Sequence, residues 1–391
     1  MRGSLSSPLC YESRSVPRVR LVWFNLIALA GPVTVASREE LVSGTSGKRG
    51  SSVRGRLLKL ALASLALLFA IGVTDARAVG FQWITVADPE DQPLEVAVWY
   101  PSASPVAPQA LGPYRQTGAA DGAISGSQLP LVVISHGTGG WAGSHFDTAL
   151  ALAEAGYVVA AITHTGDNFK DRHDSFRARS LISRPRHVVR TIDYMLTIWP
   201  AHESLDPTRI GIFGHSAGAF TALVAVGGTP NLDRIAQRCR ERPEDPVCKP
   251  TPERGETNDT AQTGAPVFMH DPRIGAAVIA ATGLGMTFEG GGLSAVSVPV
   301  QLWRAAEDRI AVDQWSTAII RRELPTPPDE HVVALAGHFA FLPPCSDALA
   351  AAAPEVCVDA PGFDRAEFHR TFNETLIAFF RARLPAFKPI R

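Results

Sequence analysis

Ser216, Asp308 and His338 are the residues of this chain whose types and settings could together do acyl-transfer chemistry. A serine hydroxyl is a poor nucleophile until a base takes its proton, and the base must be held in one tautomer by a third group. Ser216 lies in Gly214-His215-Ser216-Ala217-Gly218, a G-x-S-x-G pentapeptide. The apolar run Ile210 to Phe213 precedes it and the helix-compatible run Ala217 to Val226 follows. This is the pattern of a nucleophile elbow, a sharp strand-to-helix turn that presents the hydroxyl. Side chains two residues before and after would collide across such a turn, so glycine suits both places. The Ala217 amide then opens a helix, where it can donate to a developing oxyanion.

The partners of such a serine follow it in the order acid, then histidine. His338, in Ala336-Gly337-His338-Phe339, falls just past the last strand-like run, at the edge of the sheet where Ser216 is expected. His369 is the fallback base, but it falls inside the terminal helix. Asp308 follows Val298 to Trp303 after a short turn and is the expected acid, with Glu307 as its competitor. Asp347 and Asp359 come after His338, and Asp193 falls mid-helix. A second oxyanion donor should come from the loop after the first core strand, Ser135-His136-Gly137-Thr138-Gly139-Gly140. Thr138 N–H is the expected donor and Gly139 the runner-up. His136 reads as a loop support and His215 as packing or elbow support. His164 could contact substrate or simply pack.

These residues need a sheet to carry them. Phe81 to Val86 and Leu94 to Tyr100 alternate like strands and read as a hairpin across the turn-rich 88–93. Residues 101–129, rich in Pro, Gly, Ala and Ser, read as a long surface excursion. Leu131 to Ser135, Tyr157 to Thr163, the elbow strand, Ile274 to Ala281, Val298 to Trp303 and Val332 to Ala336 read as further strands. Helical patterns fall at Phe146 to Ala155, at Arg186 to Trp199 with Pro185 in the first turn, and from about Phe363 to Leu384. Asp364 and Glu367 resemble a capping box for the last of these. Such alternation indicates a mostly parallel sheet covered on both faces. Residues 229–268 break the pattern. Polar and Pro-rich, they are expected to form a small cap beside the site, the alternative being a solvated excursion.

The chain has 391 residues and a net charge of −1. Residues 1–78 hold 11 Lys/Arg against 4 Asp/Glu, which leaves 26 against 34 for the remainder. An acidic remainder gives no support for nucleic-acid binding. Lys48 to Lys59 is basic, Leu60 to Val73 is apolar, and Ala76-Arg77-Ala78 is an A-x-A site. Residues 53–78 therefore read as a signal peptide cleaved after Ala78, with export to a periplasm or beyond and no stable membrane span afterwards. Residues 1–52 are an extension whose place before a leader is odd. The expectation is a true start near Val53, on a non-standard codon, since no methionine lies between Met1 and Met195. Besides Cys10, the cysteines form two close pairs, Cys239/Cys248 and Cys345/Cys357. After an export signal these read as two disulfides, and their spacings do not suit a metal.

The oxyanion-type loop 135–140, the elbow 214–218, the Asp308 turn and Gly337-His338-Phe339, in that order, resemble the α/β-hydrolase superfamily. Within it they are most similar to bacterial dienelactone-hydrolase-like and platelet-activating-factor-acetylhydrolase-like serine esterases. The resemblance spans about residues 80–385. It implies an α/β-hydrolase fold with an eight-stranded sheet, no cofactor, and acyl-enzyme chemistry on a small-molecule ester. Two departures stand out. Dienelactone hydrolases use a cysteine nucleophile where this chain has Ser216. Acetylhydrolases carry the acid after the strand next to the elbow, where Ala280-Ala281-Thr282-Gly283 offers no carboxylate, so the acid shifts to Asp308. The expectation is an exported serine carboxylesterase with its domain over residues 79–391. An acyltransferase or peptidase could use the same residues, and a non-catalytic binding protein could keep the fold.

Overall fold

The structure, a computed structural model, describes residues 78–248 and 266–385. The N-terminal extension, the expected signal peptide up to Arg77, Cys10 and residues 249–265 of the polar insertion lie outside the described residues.

Ten strands form one sheet in the order β10-β9-β8-β7-β5-β6-β2-β1-β4-β3. They are β1 (Ala78–Val86), β2 (Leu94–Ser102), β3 (Ala107–Leu111), β4 (Tyr114–Ala120), β5 (Leu129–Ser135), β6 (Val158–Thr163), β7 (Leu205–His215), β8 (Ile274–Ala280), β9 (Val300–Ala305) and β10 (Asp329–Val333). From β6 through β5, β7, β8 and β9 to β10 every pairing is parallel. β2 runs antiparallel to β6 and to β1. β5 and β6 are buried along their whole length, which is why their sequences read as unbroken apolar runs.

Eight strands make the expected α/β sheet, and β3 and β4 extend it to ten. Residues 101–129 are thus a correction to the surface excursion read from sequence. The β3–β4 hairpin turns at Gly112, whose φ of +53° suits glycine, and β4 pairs with β1. Ala-Pro-Gln-Ala-Leu carries little β-branched or aromatic character, so the strand left no signal in composition.

Successive strand residues face opposite layers. Val133, Ile212 and Ile279 join the core under α2 (Ala178–Thr197) and α3 (Ala217–Ala225), with Ile192 and Phe220. Val132, Phe213 and Val278 join the other, under α1 (Phe146–Glu154) and α7 (Arg365–Arg383), with Leu152, Phe372 and Phe380. Two shorter helices are α5 (Thr317–Glu323), whose Ile320 joins the first core, and α6 (Asp347–Ala352), which buries no residue fully.

α2 begins eight residues before the expected Arg186, so Pro185 sits inside it rather than in its first turn. The extra turns are held by tertiary contacts of Leu181 in the core and of buried Arg184 with Asp167 and Thr221, which override the proline's local cost. At α7 the Asp364 side chain accepts from the Glu367 amide at 3.0 Å. The Glu367 carboxylate pairs with Arg370 instead of returning to the cap, so the capping box is half made.

The polar insertion contains α4 (Asp233–Glu241) and a short turn at Pro246–Cys248. Cys239 is bonded to Cys248 and Cys345 to Cys357, the two pairings expected from sequence. Among the described residues no helix is long and apolar enough to cross a membrane.

Candidate active site

Register brings the site together. Ser135 of β5 lies opposite Gly214 of β7, Gly214 opposite Ile279 of β8, and Ile279 opposite Leu302 of β9. The parallel strands therefore end at one edge, and the loops that leave them meet there.

Ser216 is the turn between β7 and α3, with φ +55° and ψ −117°. A non-glycine residue in that geometry stores about 1–3 kcal/mol of strain, so the surroundings must hold it. Its amide donates to the Ala280 carbonyl at 2.9 Å, and its carbonyl accepts from the Gly283 amide at 3.1 Å. A Cβ on Gly214 would overlap the Gly218 carbonyl, and one on Gly218 would overlap the Ser135 carbonyl. The two glycines of the pentapeptide are thus fixed by backbone packed directly on backbone.

The structure brings Ser216, His338 and Asp308 into one chain of hydrogen bonds. His338 Nε2 lies 2.9 Å from Ser216 Oγ, and His338 Nδ1 lies 2.8 Å from Asp308 Oδ2. The His338 and Asp308 side chains are 5% and 3% exposed, so this contact is screened from water. Asp308 is held on its other oxygen, Oδ1, by the amides of Ile310 (2.8 Å) and Ala311 (2.7 Å). Glu307, its competitor in sequence, is exposed, and its side chain makes none of these contacts.

Two further histidines clamp the 337–341 turn that carries His338. His215 Nε2–H donates to the His338 carbonyl at 3.1 Å, and its ring packs 5.2 Å from the His338 ring. Burial holds His215 well below the usual histidine pKa, and the neighbouring His338 and His145 push it the same way. His369 faces acceptors on both nitrogens, the Asp147 carboxylate at 2.6 Å and the Ala340 carbonyl at 2.9 Å. The fallback base of the sequence reading is therefore a strut for the loop.

The 136–140 loop is tied down almost atom by atom. His136 Nδ1–H donates to the Gly137 carbonyl at 2.6 Å, and its Nε2 accepts from the His164 amide at 3.1 Å. The Gly139 amide donates to Asp167 Oδ1 at 3.2 Å. Thr138 N–H and Ala217 N–H enter none of the backbone hydrogen bonds around them. Of the two loop amides weighed from sequence, Gly139 is engaged and Thr138 is free to donate. The Thr138 hydroxyl is buried with no partner.

Beneath this loop lies a buried ion pair that sequence reasoning missed. Arg184, fully buried, binds Asp167 Oδ2 at 2.8 Å through Nη1 and Thr221 Oγ1 at 3.1 Å through Nε. Its Nη2 donates to the His136 carbonyl and lies 3.4 Å from Ser135 Oγ. From there Ser135 Oγ contacts His164 Nε2 at 2.8 Å, and His164 Nδ1 contacts His187 Nδ1 at 3.1 Å. His187 Nε2 lies 3.4 Å from Asp88 Oδ2. With His164 protonated at Nδ1 and His187 at Nε2, each donor from Arg184 to His164 faces an acceptor, while His187 Nε2 is near Asp88 without a hydrogen bond to it. His164 is thus a core histidine, fully buried.

Ser216 opens onto a cleft walled by Leu284 and Met286 after β8, by Ile310 and Trp315 after Asp308, and by Arg238 and Val247 of the insertion. The wall is mostly apolar, as in binding clefts for small organic molecules.

Residues 119–270 match the dienelactone hydrolase family. That span includes Thr138, Ser216 and Ala217 and stops before Asp308 and His338. No curated protein matches the chain. Among solved structures, a ferulic acid esterase from Streptomyces cinnamoneus superposes with a TM-score of 0.55 at 19% identity, over 82% of this chain and 94% of that one. At that identity the likeness speaks for the fold. The family match and the fold together support a hydrolase. The chain has the α/β-hydrolase fold and is dienelactone-hydrolase-like across residues 119–270.

Proposed function

We propose that the protein is an exported serine hydrolase of carboxylic esters that works through an acyl-enzyme. The observation that carries this reading is the continuous contact from Ser216 Oγ through both nitrogens of His338 to Asp308. A nucleophile 2.9 Å from its base, with the base fixed on the far side by a carboxylate, is the geometry general-base activation requires.

In the first step His338 Nε2 takes the Ser216 proton as Oγ attacks the ester carbonyl. Asp308 holds Nδ1–H, fixes the tautomer and stabilises the imidazolium. The Thr138 and Ala217 amides receive the oxyanion, each such donor being worth about 3 kcal/mol. His338 then returns the proton to the leaving alcohol. A water, deprotonated by the same nitrogen, releases the acid. Export is supported by the signal-like residues 53–78 and by the two disulfides, which persist in oxidising compartments.

The test is a panel of p-nitrophenyl and aryl esters, with methyl ferulate included because a ferulic acid esterase shares the fold. Wild-type enzyme is expected to turn over members of the panel and to be labelled at Ser216 by a fluorophosphonate. Ser216→Ala is expected to lose both. Turnover by the alanine variant at the wild-type rate would refute the mechanism.

A further inference from the structure

We propose that Arg238 is a specificity-determining residue, the end wall of the acyl pocket, and that the pocket takes uncharged apolar acyl groups. This deepens the serine-hydrolase reading and rests on it.

Two features place the acyl group here. The leaving oxygen must receive its proton from His338, so the alcohol lies on the His338 side of Ser216. The cleft that borders Ser216 is lined by neither His338 nor Thr138. What enters it is the part of the ester that stays on the serine.

Arg238 is 8% exposed and comes from the insertion rather than from the sheet. Its guanidinium lies 4.4 Å from the ring of Trp315, seven residues past the acid Asp308. Its Nε binds Asp245 Oδ2 at 2.9 Å. The charge is thus matched inside the wall by Asp245 and covered on one side by an aromatic face. Most of the remaining lining, including Val247, Leu284, Met286, Ile310 and Val312, is apolar, with Ser316 beside it. A neutral acyl chain loses nothing by entering, whereas a carboxylate-tipped one meets Asp245 and a cation already paired.

The wall is also braced. Cys239, next to Arg238, is bonded to Cys248, which closes a ten-residue loop around Asp245. Inside it Asp245 Oδ1 accepts from the Val247 amide at 3.2 Å, and the Asp245 carbonyl accepts from the Cys248 amide at 2.9 Å. The insertion therefore enters the cleft through a stapled unit that cannot simply swing aside.

The experiment measures kcat/KM for p-nitrophenyl acetate, butyrate, octanoate and hemisuccinate, normalised to fluorophosphonate-labelled sites. Arg238→Ala is expected to raise the octanoate-to-acetate ratio at least about tenfold, the scale on which a few methylenes are discriminated. Cys239→Ser/Cys248→Ser is expected to raise it in the same direction. Asp245→Asn keeps the volume but unmatches the arginine, and should raise the hemisuccinate-to-butyrate ratio about tenfold. It also guards against an Arg238 variant that fails to fold. Labelled enzymes whose ratios all stay at the wild-type values would overturn the inference, as would a shift confined to a series in which only the alcohol is varied. No labelling of Ser216 in the wild type instead removes the serine-hydrolase reading, and the pocket assignment falls with it.

Discussion

At the scale of single residues, the two carboxylates that compete in sequence differ in what they touch. Asp308 carries two backbone amides on one oxygen and His338 on the other, while Glu307 points to solvent. Replacing Asp308 with Asn keeps the shape but turns a fixed acceptor into a group that can stabilise the wrong imidazole tautomer. Asp308→Asn is expected to lower kcat by about 10⁴ with the fold intact, and Glu307→Gln to leave it within about twofold. Comparable losses in the two variants, in steady-state kinetics with circular dichroism as the fold control, would contradict the assignment. The serine, the acid and the histidine were legible in the sequence because each sits in a local motif at a strand end. Arg184, His187 and the supporting role of His369 were not. Their partners lie far away in the chain, as Asp147 does from His369, and no spacing rule announces such pairs.

At the scale of elements, the elbow and the loop beside it carry the tightest constraints. Gly218 has the Ser135 carbonyl against its α-carbon, backbone on backbone, so no side-chain motion can make room for a methyl group. Gly337, beside His338, has nothing within 4 Å of a built Cβ and a φ of −91° that any residue adopts. Gly218→Ala is expected to cost more than about 4 kcal/mol, or to prevent folding, while Gly337→Ala should shift stability by less than about 1 kcal/mol. Urea melts of the pair decide this, and equal midpoints would refute it. The Arg184–Asp167 pair makes a second element-scale case. Removing one member leaves the other buried and unmatched, so Asp167→Asn should destabilise by about 3–5 kcal/mol in the same melts. A midpoint within error of wild type would show that the charge is not carried there. The strands of this layer were readable because burial on both faces makes them continuous apolar runs. β3 and β4, at the far edge and poor in β-branched residues, and the first turns of α2, held by buried polar contacts, were outside what periodicity can report.

At the scale of the whole molecule, the histidines bind the site's chemistry to the protein's stability. Burial pushes the pKa values of His136, His164 and His215 well below 6.5, that of His145 down to about 4, and that of His187 down as well. In the unfolded chain each would titrate near about 6.5. Between that value and its folded value, the unfolded state holds a proton that the native state refuses. Stability is therefore complete above about pH 6.5 and falls as the pH drops through it, by up to about 1.4 kcal/mol per pH unit for each histidine that stays neutral. For His164 and His187, the contacts running from Arg184 towards Asp88 add to burial. His164 Nε2 must accept from Ser135 and His187 Nδ1 must accept from His164, so a second proton on either ring breaks a buried hydrogen bond. Depressed carboxylates such as Asp147 also lose stability on acidification, but only near and below the ordinary carboxylate range, so the two windows separate. With a total stability of about 5–15 kcal/mol, several such histidines suffice to unfold the domain within about two pH units of the onset. The urea midpoint is expected to be level from pH 8 to 7 and to fall steeply between pH 6.5 and 5. His187→Gln, which keeps a hydrogen-bonding side chain but cannot titrate, should make that fall shallower. A midpoint that stays level down to pH 5 would mean that the buried rings beneath the 136–140 loop take up protons in place.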